Sequence, residues 1–440
     1  MRTHDVCVIG AGPAGSSVAR CLAMHGHDVC LIERAAFPRR RLGECFAAPI
    51  MSVLGALELS AGECGGLRRA ELVAEWAGGR HRSHVYVADR GRFDAGLLDA
   101  ARAAGAHVIQ PAGARVRRAE TGWCVEVSGQ AGAWSLACRF LVDAAGRPGA
   151  LRGPRDRGGA ATTALYRYAR PEPPPPPAAR IRAGPSEWLW TAALPGGVVN
   201  TMVFVDRARC AGLSPTARAE VFAALAGCRD GITPVRARDA SASLAVDVAG
   251  EDYVKVGDAA ITIDPLSSQG VQTAVVTGLR AAAVVNTVLR RPSDTGLALD
   301  FYRASLSRTA RTHAALAAEH YGTQARCSPS SFWRDRSVPA PAAASSPTPP
   351  ALIAPSPLAR IVSAPVLDGE FITRLRSVAA PGSPEPIAFV GGAQAALLLG
   401  RIRQPMSAPE ILAAWSGLTT DSGGRHALAR LLAVGALTVT

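Results

Sequence analysis

Three glycines near the N-terminus have the spacing of a phosphate-binding turn. They follow an apolar run at residues 5–9 and precede a helical pattern at residues 13–25. In such a strand–turn–helix unit the first glycine permits the tight turn, the second lets the backbone approach a pyrophosphate, and the third lets helix and strand pack closely. The helix N-terminus then faces the anion with free N–H groups. The candidate nucleotide-binding residues of this turn are Gly10, Gly12, Pro13, Ala14 and Gly15.

An acidic residue completes this unit. A second apolar strand is predicted at residues 28–33 and ends at Glu33, at the position where a carboxylate accepts the ribose hydroxyls of a dinucleotide. A lone glycine motif is weak evidence. The order strand, turn, helix, strand and acid therefore carries the prediction of a nucleotide site, against the alternative of a glycine turn without a ligand.

A second stretch also places turn-forming residues directly before a predicted helix. "VGDAAITIDPLSSQGVQTAVVTG", residues 256–278, places Asp258 in a tight turn, then Asp-Pro, small polar residues and a glycine before an apolar helix from about residue 270. A packed core does not need two consecutive turns. They indicate a large, partly charged ligand that faces a helix N-terminus.

Composition excludes some classes of protein. The chain of 440 residues has a net charge of +13, but its basic residues are scattered arginines with one lysine, Lys255, and Gly and Pro are abundant. We interpret this as a general composition bias and predict no nucleic-acid surface.

The ten cysteines form no CxxC pair and no spacing suited to zinc, so no metal site is predicted. We find no signal peptide and no apolar run of about 18 residues, so we expect no membrane span and a cytoplasmic location.

Further segments carry a resemblance to a known family. "ER" at residues 33–34 and the following "RAAFPRRRLGECF" resemble the pattern ER-x-x-FPR-x-x-x-GES of the FAD-dependent monooxygenase, halogenase and geranylgeranyl-reductase superfamily. "DRGRFDAGLLDAARAAGAHV" (89–108), "FLVDAAGRPGALR" (140–152) and the 256–278 stretch match further motifs in the same order. Cys45 departs from the pattern, where serine is usual.

The resemblance implies noncovalent FAD. Arg90 would lie near the ribityl-phosphate chain, Asp258 would bind the ribityl hydroxyls, and Pro265 with residues 269–271 would back the isoalloxazine. The full set implied to bind FAD is Gly10, Gly12, Pro13, Ala14, Gly15, Glu33, Arg34, Arg41, Gly43, Arg90, Asp258, Pro265, Gly270 and Val271.

The resemblance also implies an α/β fold. It comprises a Rossmann-like FAD-binding domain of the glutathione-reductase/p-hydroxybenzoate-hydroxylase type, a β-sheet substrate domain and a small C-terminal helical or winged-helix-like domain. The predicted boundaries are 1–75, 93–158 and 251–322 for the FAD-binding domain, 76–92 and 159–250 for the substrate domain, 323–385 for a Pro/Ser/Ala-rich linker, and 386–440 for the small domain.

The middle region supplies two candidate pocket residues. A proline run at residues 171–177 predicts an exposed polyproline II loop. Trp188 and Trp190 follow on one face of a predicted strand, where they either line an aromatic pocket or belong to the core.

The tail resembles small peptide-binding winged-helix chaperones of pyrroloquinoline-quinone biosynthesis. Ser407 and Glu410 predict a capping box at the start of one helix. Such a unit can bind a peptide as an added strand. A dimerising or merely packing appendage remains the alternative.

Several flavin chemistries are compatible with the motifs. In the family, halogenation needs a pocket lysine and usually a WxWxIP signature; Lys255 lies on the strand before the FAD turn, and "WLWTAALP" keeps only the two tryptophans. A geranylgeranyl-reductase-like oxidoreductase, a small-molecule aromatic hydroxylase and an FAD-containing assembly chaperone stay open. We find no conspicuous catalytic residue, as oxygen insertion through a flavin C4a-hydroperoxide would allow.

The group of the superfamily that the chain most resembles matures quinone cofactors in partner proteins. It includes the tryptophan-hydroxylating flavoproteins of quinohemoprotein amine dehydrogenase maturation. This resemblance implies an oxidoreductase that uses NAD(P)H and O2 to hydroxylate a tryptophan in a protein or peptide, such as a cross-linked amine dehydrogenase subunit.

Overall fold

The computed structural model describes residues 2–39, 42–130, 132–228, 230–337 and 352–439. The chain divides into two compact units, one of residues 1–289 with 302–340, the other of residues 290–301 with 341–440. Each unit has its own hydrophobic core.

The strands follow in chain order as β1 (Arg2–Ile9), β2 (Val29–Ile32), β3 (Cys45–Phe46), β4 (Arg68–Trp76), β5 (Gly79–Val87), β6 (His107–Ile109), β7 (Ala112–Arg118), β8 (Trp123–Gly129), β9 (Gly132–Asp143), β10 (Arg155–Asp156), β11 (Thr162–Ala169), β12 (Ala178–Ala183), β13 (Trp188–Ala193), β14 (Val199–Asp206), β15 (Arg236–Asp239), β16 (Ser243–Ala245), β17 (Ala249–Gly250), β18 (Tyr253–Lys255), β19 (Ile261–Thr262), β20 (Ile353–Pro355), β21 (Arg360–Asp368), β22 (Phe371–Ala379), β23 (Phe389–Val390), β24 (Ala393–Gln394) and β25 (Leu437–Val439).

The α-helices are α1 (Pro13–Met24), α2 (Ile50–Gly55), α3 (Arg90–Ala103), α4 (Arg207–Cys210), α5 (Pro215–Ala226), α6 (Gly270–Arg290), α7 (Thr295–Cys327), α8 (Ser331–Arg334), α9 (Ala395–Gly400), α10 (Ala408–Trp415) and α11 (Asp421–Ala433). Short 3-10 turns span Gly257–Ala259, Pro265–Ser267 and Pro292–Asp294.

The first sheet is the parallel core that the N-terminal motif predicts. Its strands run in the order β17-β18-β9-β1-β2-β6, with β7 and β8 joined through β9. Strands β18, β9, β1, β2 and β6 pair in parallel. All four residues of β2 are buried, as a strand covered on both faces requires. The predicted α/β fold is confirmed.

The second sheet lies in the same unit and has the order β15-β11-β14-β13-β12-β4-β5-β3. Its pairs are antiparallel except for β12 with β4. Strands β3, β4 and β5 come before α3, so this sheet takes residues 45–46 and 68–87, whereas the predicted segment was 76–92. The proline-rich residues 171–177 connect β11 to β12.

The two faces of the second sheet differ in character. One face packs Leu165, Leu189 and Val203 against Phe222 of α5. The other face is aromatic and includes Trp188 and Trp190. Cys45 and Leu266, which belong to two of the predicted flavin segments, pack in the same aromatic cluster.

Helix α6 follows the second flavin motif. Its length and mean hydropathy of 1.2 would suffice for a membrane span, but 61% of that window is buried inside the protein. Helix α6 contributes Val275 to the core around Phe46 and Phe93, as the central helix of a folded unit does.

The second unit has a separate core around Trp415 and Ile411. Strands β21 and β22 form a hairpin, and three helices follow, α9, α10 and α11. The capping box predicted at α10 is confirmed, since the Glu410 carboxylate accepts from both the main-chain N–H (2.8 Å) and the hydroxyl (2.7 Å) of Ser407.

The structure differs from the predicted linker at residues 323–385. Helix α7 continues to Cys327, and residues 360–379 form the hairpin β21–β22. The two-residue loop Gly369-Glu370 closes this hairpin, and glycine at its first position, with φ +56°, is a hairpin signal, but the surrounding Pro, Ser and Ala residues obscured it. The Pro-rich residues 338–351 lie outside the described part of the chain.

Candidate flavin site

The glycine turn has the geometry that a pyrophosphate requires. Gly10 has φ +104°, and a Cβ at Gly15 would lie 1.8 Å from the carbonyl oxygen of Gly10. Gly12, by contrast, has φ −69°, and a Cβ there would meet no atom within 4 Å. Two of the three glycines are therefore needed for folding, whereas Gly12 leaves open space in front of the helix N-terminus.

Glu33 braces this turn. It is 4% exposed, and its carboxylate accepts from the main-chain N–H groups of Ala11 and Ala35, each at 2.9 Å. Arg39 donates to it at 3.4 Å. The carboxylate is fixed at the end of β2, where lone pairs remain for a ribose hydroxyl.

The predicted arginines have different surroundings. Arg34 is exposed, and Arg41 lies outside the described residues. Arg39, which sequence reasoning did not select, is the residue that pairs with Glu33 and lies 4.0 Å from Asp94. The motif contains several adjacent arginines, and its local sequence does not indicate which of them pairs with Glu33.

Arg90 and Gly43 are brought together. Arg90 is 8% exposed; it donates to both carboxylate oxygens of Asp94 (2.9 and 3.2 Å) and to the carbonyl of Leu42 (2.6 Å). A Cβ at Gly43 would lie 2.7 Å from Nη1 of Arg90 and 3.3 Å from Cγ2 of Val271. Residues 43–45, the GEC segment, thus meet α3 and the start of α6 at one point.

Asp258 lies in the turn that follows β18. The preceding Gly257, with φ +55°, lies against Ala14 of α1, since a Cβ there would be 2.8 Å from the Ala14 methyl. Asp258 itself is exposed, and in the described ranges no group donates a hydrogen bond to its carboxylate. Arg90 and Arg155 act on it electrostatically. It is available for ligand hydroxyls.

The turn at Pro265 is held by the side chain of the preceding residue, Asp264. The half-buried Asp264 carboxylate accepts from the main-chain N–H of Leu266 (2.9 Å) and from the hydroxyl of Tyr321 (3.1 Å). Burial raises the pKa of Asp264, although the N–H of Leu266 and the hydroxyl of Tyr321 oppose the shift. Helix α6 begins at the exposed Gly270, where an added Cβ would again meet open space.

The two tryptophans have different neighbours. Trp188 is 1% exposed and stacks on Phe204 with ring centroids 3.7 Å apart, as a core residue does. Trp190 is 4% exposed and interacts with the Cys45 side chain of the GEC segment. Trp190 therefore stays the better candidate for a pocket residue.

The sequence predicts no role for three polar residues that meet where the GEC segment contacts the second sheet. Glu44 is fully buried and accepts from the hydroxyl of Tyr168 and from Nδ2 of Asn200. Glu44 belongs to the quoted motif, but Tyr168 and Asn200 lie on β11 and β14, and only strand register brings them to it.

Cys45 should be chemically inert. Burial raises the pKa of its thiol to about 12, and the reactive species is the thiolate. We expect iodoacetamide at neutral pH to leave Cys45 unlabelled while it labels the exposed Cys327. Peptide mapping of the native protein by mass spectrometry measures both sites. Labelling of Cys45 at the rate of Cys327 would contradict the prediction.

The arrangement fits FAD. The N-termini of α1 and α6 lie at Gly12 and Gly270, each with open space before it. Asp258 lies beside them, and no described residue donates a hydrogen bond to its carboxylate. Within the described chain, Oε1 of Gln272, in the first turn of α6, is a buried acceptor that lacks a partner. The pyrophosphate would rest on α1, the ribityl chain near Asp258 and the ring near Pro265 and Val271.

Comparison with known families agrees with this site. The tryptophan halogenase family profile matches residues 68–346, and that of FAD dependent oxidoreductases matches residues 5–43. Because the first match covers more than half of the chain, the protein belongs to the tryptophan halogenase family and is an FAD-dependent enzyme.

Curated relatives include halogenases and another oxidoreductase. Tryptophan 2-halogenase of Chondromyces crocatus is 28% identical over 364 residues, 73% of this chain and 68% of that protein. The putative FAD-dependent oxidoreductase LodB of Marinomonas mediterranea is 25% identical over 366 residues, 76% of this chain and 97% of the relative.

Solved structures resemble the whole chain. The peptidyl tryptophan dihydroxylase QhpG, described as essential for tryptophylquinone cofactor biogenesis, has a TM-score of 0.76 and 27% identity, over 98% of this chain and 99% of QhpG. The flavin-dependent halogenase CmlS has a TM-score of 0.79 over 100% of this chain and 96% of its own, but at 19% identity it shows the fold alone.

Proposed function

We propose that this protein is an FAD-dependent monooxygenase that hydroxylates a tryptophan side chain in a protein or peptide precursor during quinone cofactor biogenesis. The observation that carries the proposal is the likeness to QhpG, which extends over both units at 27% identity. QhpG is described as a peptidyl tryptophan dihydroxylase. The aromatic face beside the GEC segment offers the apolar surroundings that an indole ring needs.

The position of the lysine favours oxygenation over halogenation. Lys255 is 4% exposed on β18, in the parallel sheet, and its ammonium lies 3.6 Å from the position of a Cβ on Gly153. Burial lowers its pKa, and Asp143 and Asp247 oppose the shift. It does not belong to the aromatic face where Trp190 meets Cys45. The pocket lysine that halogenation needs in this family would therefore be missing from the aromatic face.

Halogenation remains the second candidate, because several relatives are named halogenases. The two reactions differ in their co-substrates. Hydroxylation consumes O2 and two electrons, transfers one oxygen atom to the ring carbon in place of hydrogen, and releases the other as water. Halogenation in addition requires chloride or bromide and leaves a halogen on the ring.

We propose NAD(P)H as the source of the two electrons. FAD, when bound, would carry them to O2. The chain has one dinucleotide glycine motif, and FAD accounts for it, so the nicotinamide would bind transiently at the mouth of the pocket. This co-substrate is a proposal from the resemblance to single-chain flavin hydroxylases.

The second unit supports a macromolecular substrate. Its hairpin has two nine-residue strands, β21 and β22, which pair with each other over residues 360–379. In the described residues, no further strand pairs with β21, so its outer edge can receive an extended peptide as an added strand. We propose a protein or peptide partner, such as a cross-linked amine dehydrogenase subunit, and a cytoplasmic location.

Mass spectrometry tests the proposal. Proteins encoded beside this gene are incubated with the holoenzyme, NADH or NADPH, and O2, with and without bromide. We expect one tryptophan to gain about 16 or 32 mass units, one or two oxygen atoms, dependent on FAD and independent of bromide.

A variant that lacks residues 352–440 serves as a control and should lose activity on the protein while it keeps bound FAD. Bromination of the same tryptophan would favour the second candidate. Robust turnover of a free small aromatic compound, unchanged by the deletion, would contradict the peptide substrate.

A further inference from the structure

A buried carboxyl group lies beside the flavin-binding segments, and the proposed reaction does not use it. Glu44 is 2% exposed. The preceding Gly43 lies against Arg90 and Val271, and the following Cys45 interacts with Ser268 and Trp190. The carboxyl therefore occupies the junction between the candidate flavin site and the aromatic face of the second sheet.

The direct partners of Glu44 are neutral. The Tyr168 hydroxyl donates to Oε1, and Nδ2 of Asn200 donates to Oε2 at 3.2 Å. Tyr168 and Asn200 are opposite each other on β11 and β14, so the sheet fixes both donors. Asn200 is fully buried, and in the described chain its Oδ1 has no hydrogen-bond partner. Such a network holds the carboxyl in place without a bonded cation.

Arg90 is the cation that acts on Glu44, but its donors are engaged elsewhere. Its Nε and Nη2 donate to Asp94, and its Nη1 donates to the carbonyl of Leu42. The same guanidinium interacts electrostatically with Glu44 and Asp258. Arg90 thus acts on three carboxylates, although Arg39 also lies 4.0 Å from Asp94 and Arg155 also interacts with Asp258. A bound pyrophosphate would add further negative charge.

These surroundings favour the acid form of Glu44. Burial without a bonded cation is unfavourable for a carboxylate. Burial raises the pKa of Glu44, while the hydroxyl of Tyr168, Arg90 and Asn200 oppose the shift. The titratable or charged groups that interact with it are Tyr168 from β11, Arg90 from α3 and the adjacent Cys45.

We propose that Glu44 is a redox-linked acid of the flavin site. It takes up one proton from solvent when two electrons from a reductant reach the bound flavin, and it releases that proton on reoxidation. The physical reason is that the reduced flavin gains negative charge, which in a buried site favours a neutral carboxyl. The proton binds a carboxylate oxygen, and no bond of the chain breaks. The inference rests on FAD binding and does not depend on the substrate.

The reduction potential of the holoprotein reports this proton. The pKa of Glu44 should be higher in the reduced than in the oxidised protein, and the pH range between these two values is the sloping interval. Within it the reduction potential should fall by an additional amount of about 30 mV per pH unit. This is the value for one proton taken up by a two-electron couple. Spectroelectrochemical titration of the bound flavin from about pH 5 to about pH 9 covers the range of a raised carboxyl pKa.

Matched variants separate this role from a structural one. Glu44→Gln should remove the additional slope, and Glu44→Asp should restore it at a shifted pH. Tyr168→Phe withdraws a donor from the carboxylate, so the sloping interval should move to higher pH. Visible absorbance confirms that each variant retains FAD.

Two outcomes would overturn the proposal. One is a potential that depends on pH identically in the wild type and in FAD-loaded Glu44→Gln. The other is an unshifted interval in Tyr168→Phe. If Glu44→Gln does not bind FAD, infrared redox difference spectra of the wild type decide. A carboxylic acid carbonyl band that grows on reduction within the sloping interval supports the proposal, and its absence there overturns it.

Discussion

Gly12→Ala should abolish tight FAD binding and leave the unfolding of the apoprotein unchanged. The φ of −69° at Gly12 suits alanine, and the added methyl group would meet no protein atom within 4 Å. That open space lies at the N-terminus of α1, where the pyrophosphate would approach the backbone. A methyl group there obstructs the ligand alone. We expect FAD affinity to fall by about 100-fold or more, the loss of several charge-assisted hydrogen bonds.

Thermal unfolding with and without added FAD measures both effects. A ligand at 100 times its Kd stabilises the folded state by about 2.7 kcal/mol, so the wild type should gain this and the Gly12→Ala protein should gain almost nothing. Gly15→Ala is the matched control. Its methyl group would lie 1.8 Å from the carbonyl oxygen of Gly10, so this variant should destabilise the apoprotein itself. Equal destabilisation of the two apoproteins would contradict the assignment of Gly12.

The local part of this site could be predicted from sequence because its signals are local. The predicted strand, helix and strand at 5–9, 13–25 and 28–33 correspond to β1, α1 and β2 within a few residues at each end. Glycine spacing encodes the turn through φ values and close contacts within a few residues. The predicted start of α6 at residue 270 is also confirmed.

The environment of Glu44 could not be predicted in the same way. Tyr168 and Asn200 are 124 and 156 residues from Glu44 in the chain, and they meet it because β11 and β14 pair in one register. A shift of that register by one residue would turn one of the two side chains to the opposite face. No periodicity in a single segment contains that information.

The role of Arg90 likewise depends on a contact that the motif does not show. The motif resemblance implies a contact with FAD, but it does not show that Asp94, one helical turn later, accepts from two of the guanidinium nitrogens. Asp94 is fully buried. Arg90 therefore has a structural partner as well as a ligand to bind, and a single substitution changes both.

Arg90→Met should destabilise the apoprotein by about 3 kcal/mol, the lower end of the range for a broken buried ion pair, because Asp94 loses both hydrogen bonds from Arg90 and retains only Arg39 at 4.0 Å. The double variant Arg90→Met with Asp94→Leu replaces the pair by apolar groups and should recover most of this loss. FAD affinity should remain low in the double variant, since the guanidinium that would face the ribityl-phosphate chain is still absent. Chemical denaturation of the apoproteins gives the stabilities, and flavin fluorescence quenching gives the affinities. Wild-type affinity in a stable double variant would show that Arg90 only positions its neighbours, whereas unchanged stability of the single variant would exclude the ion pair as a support of the fold.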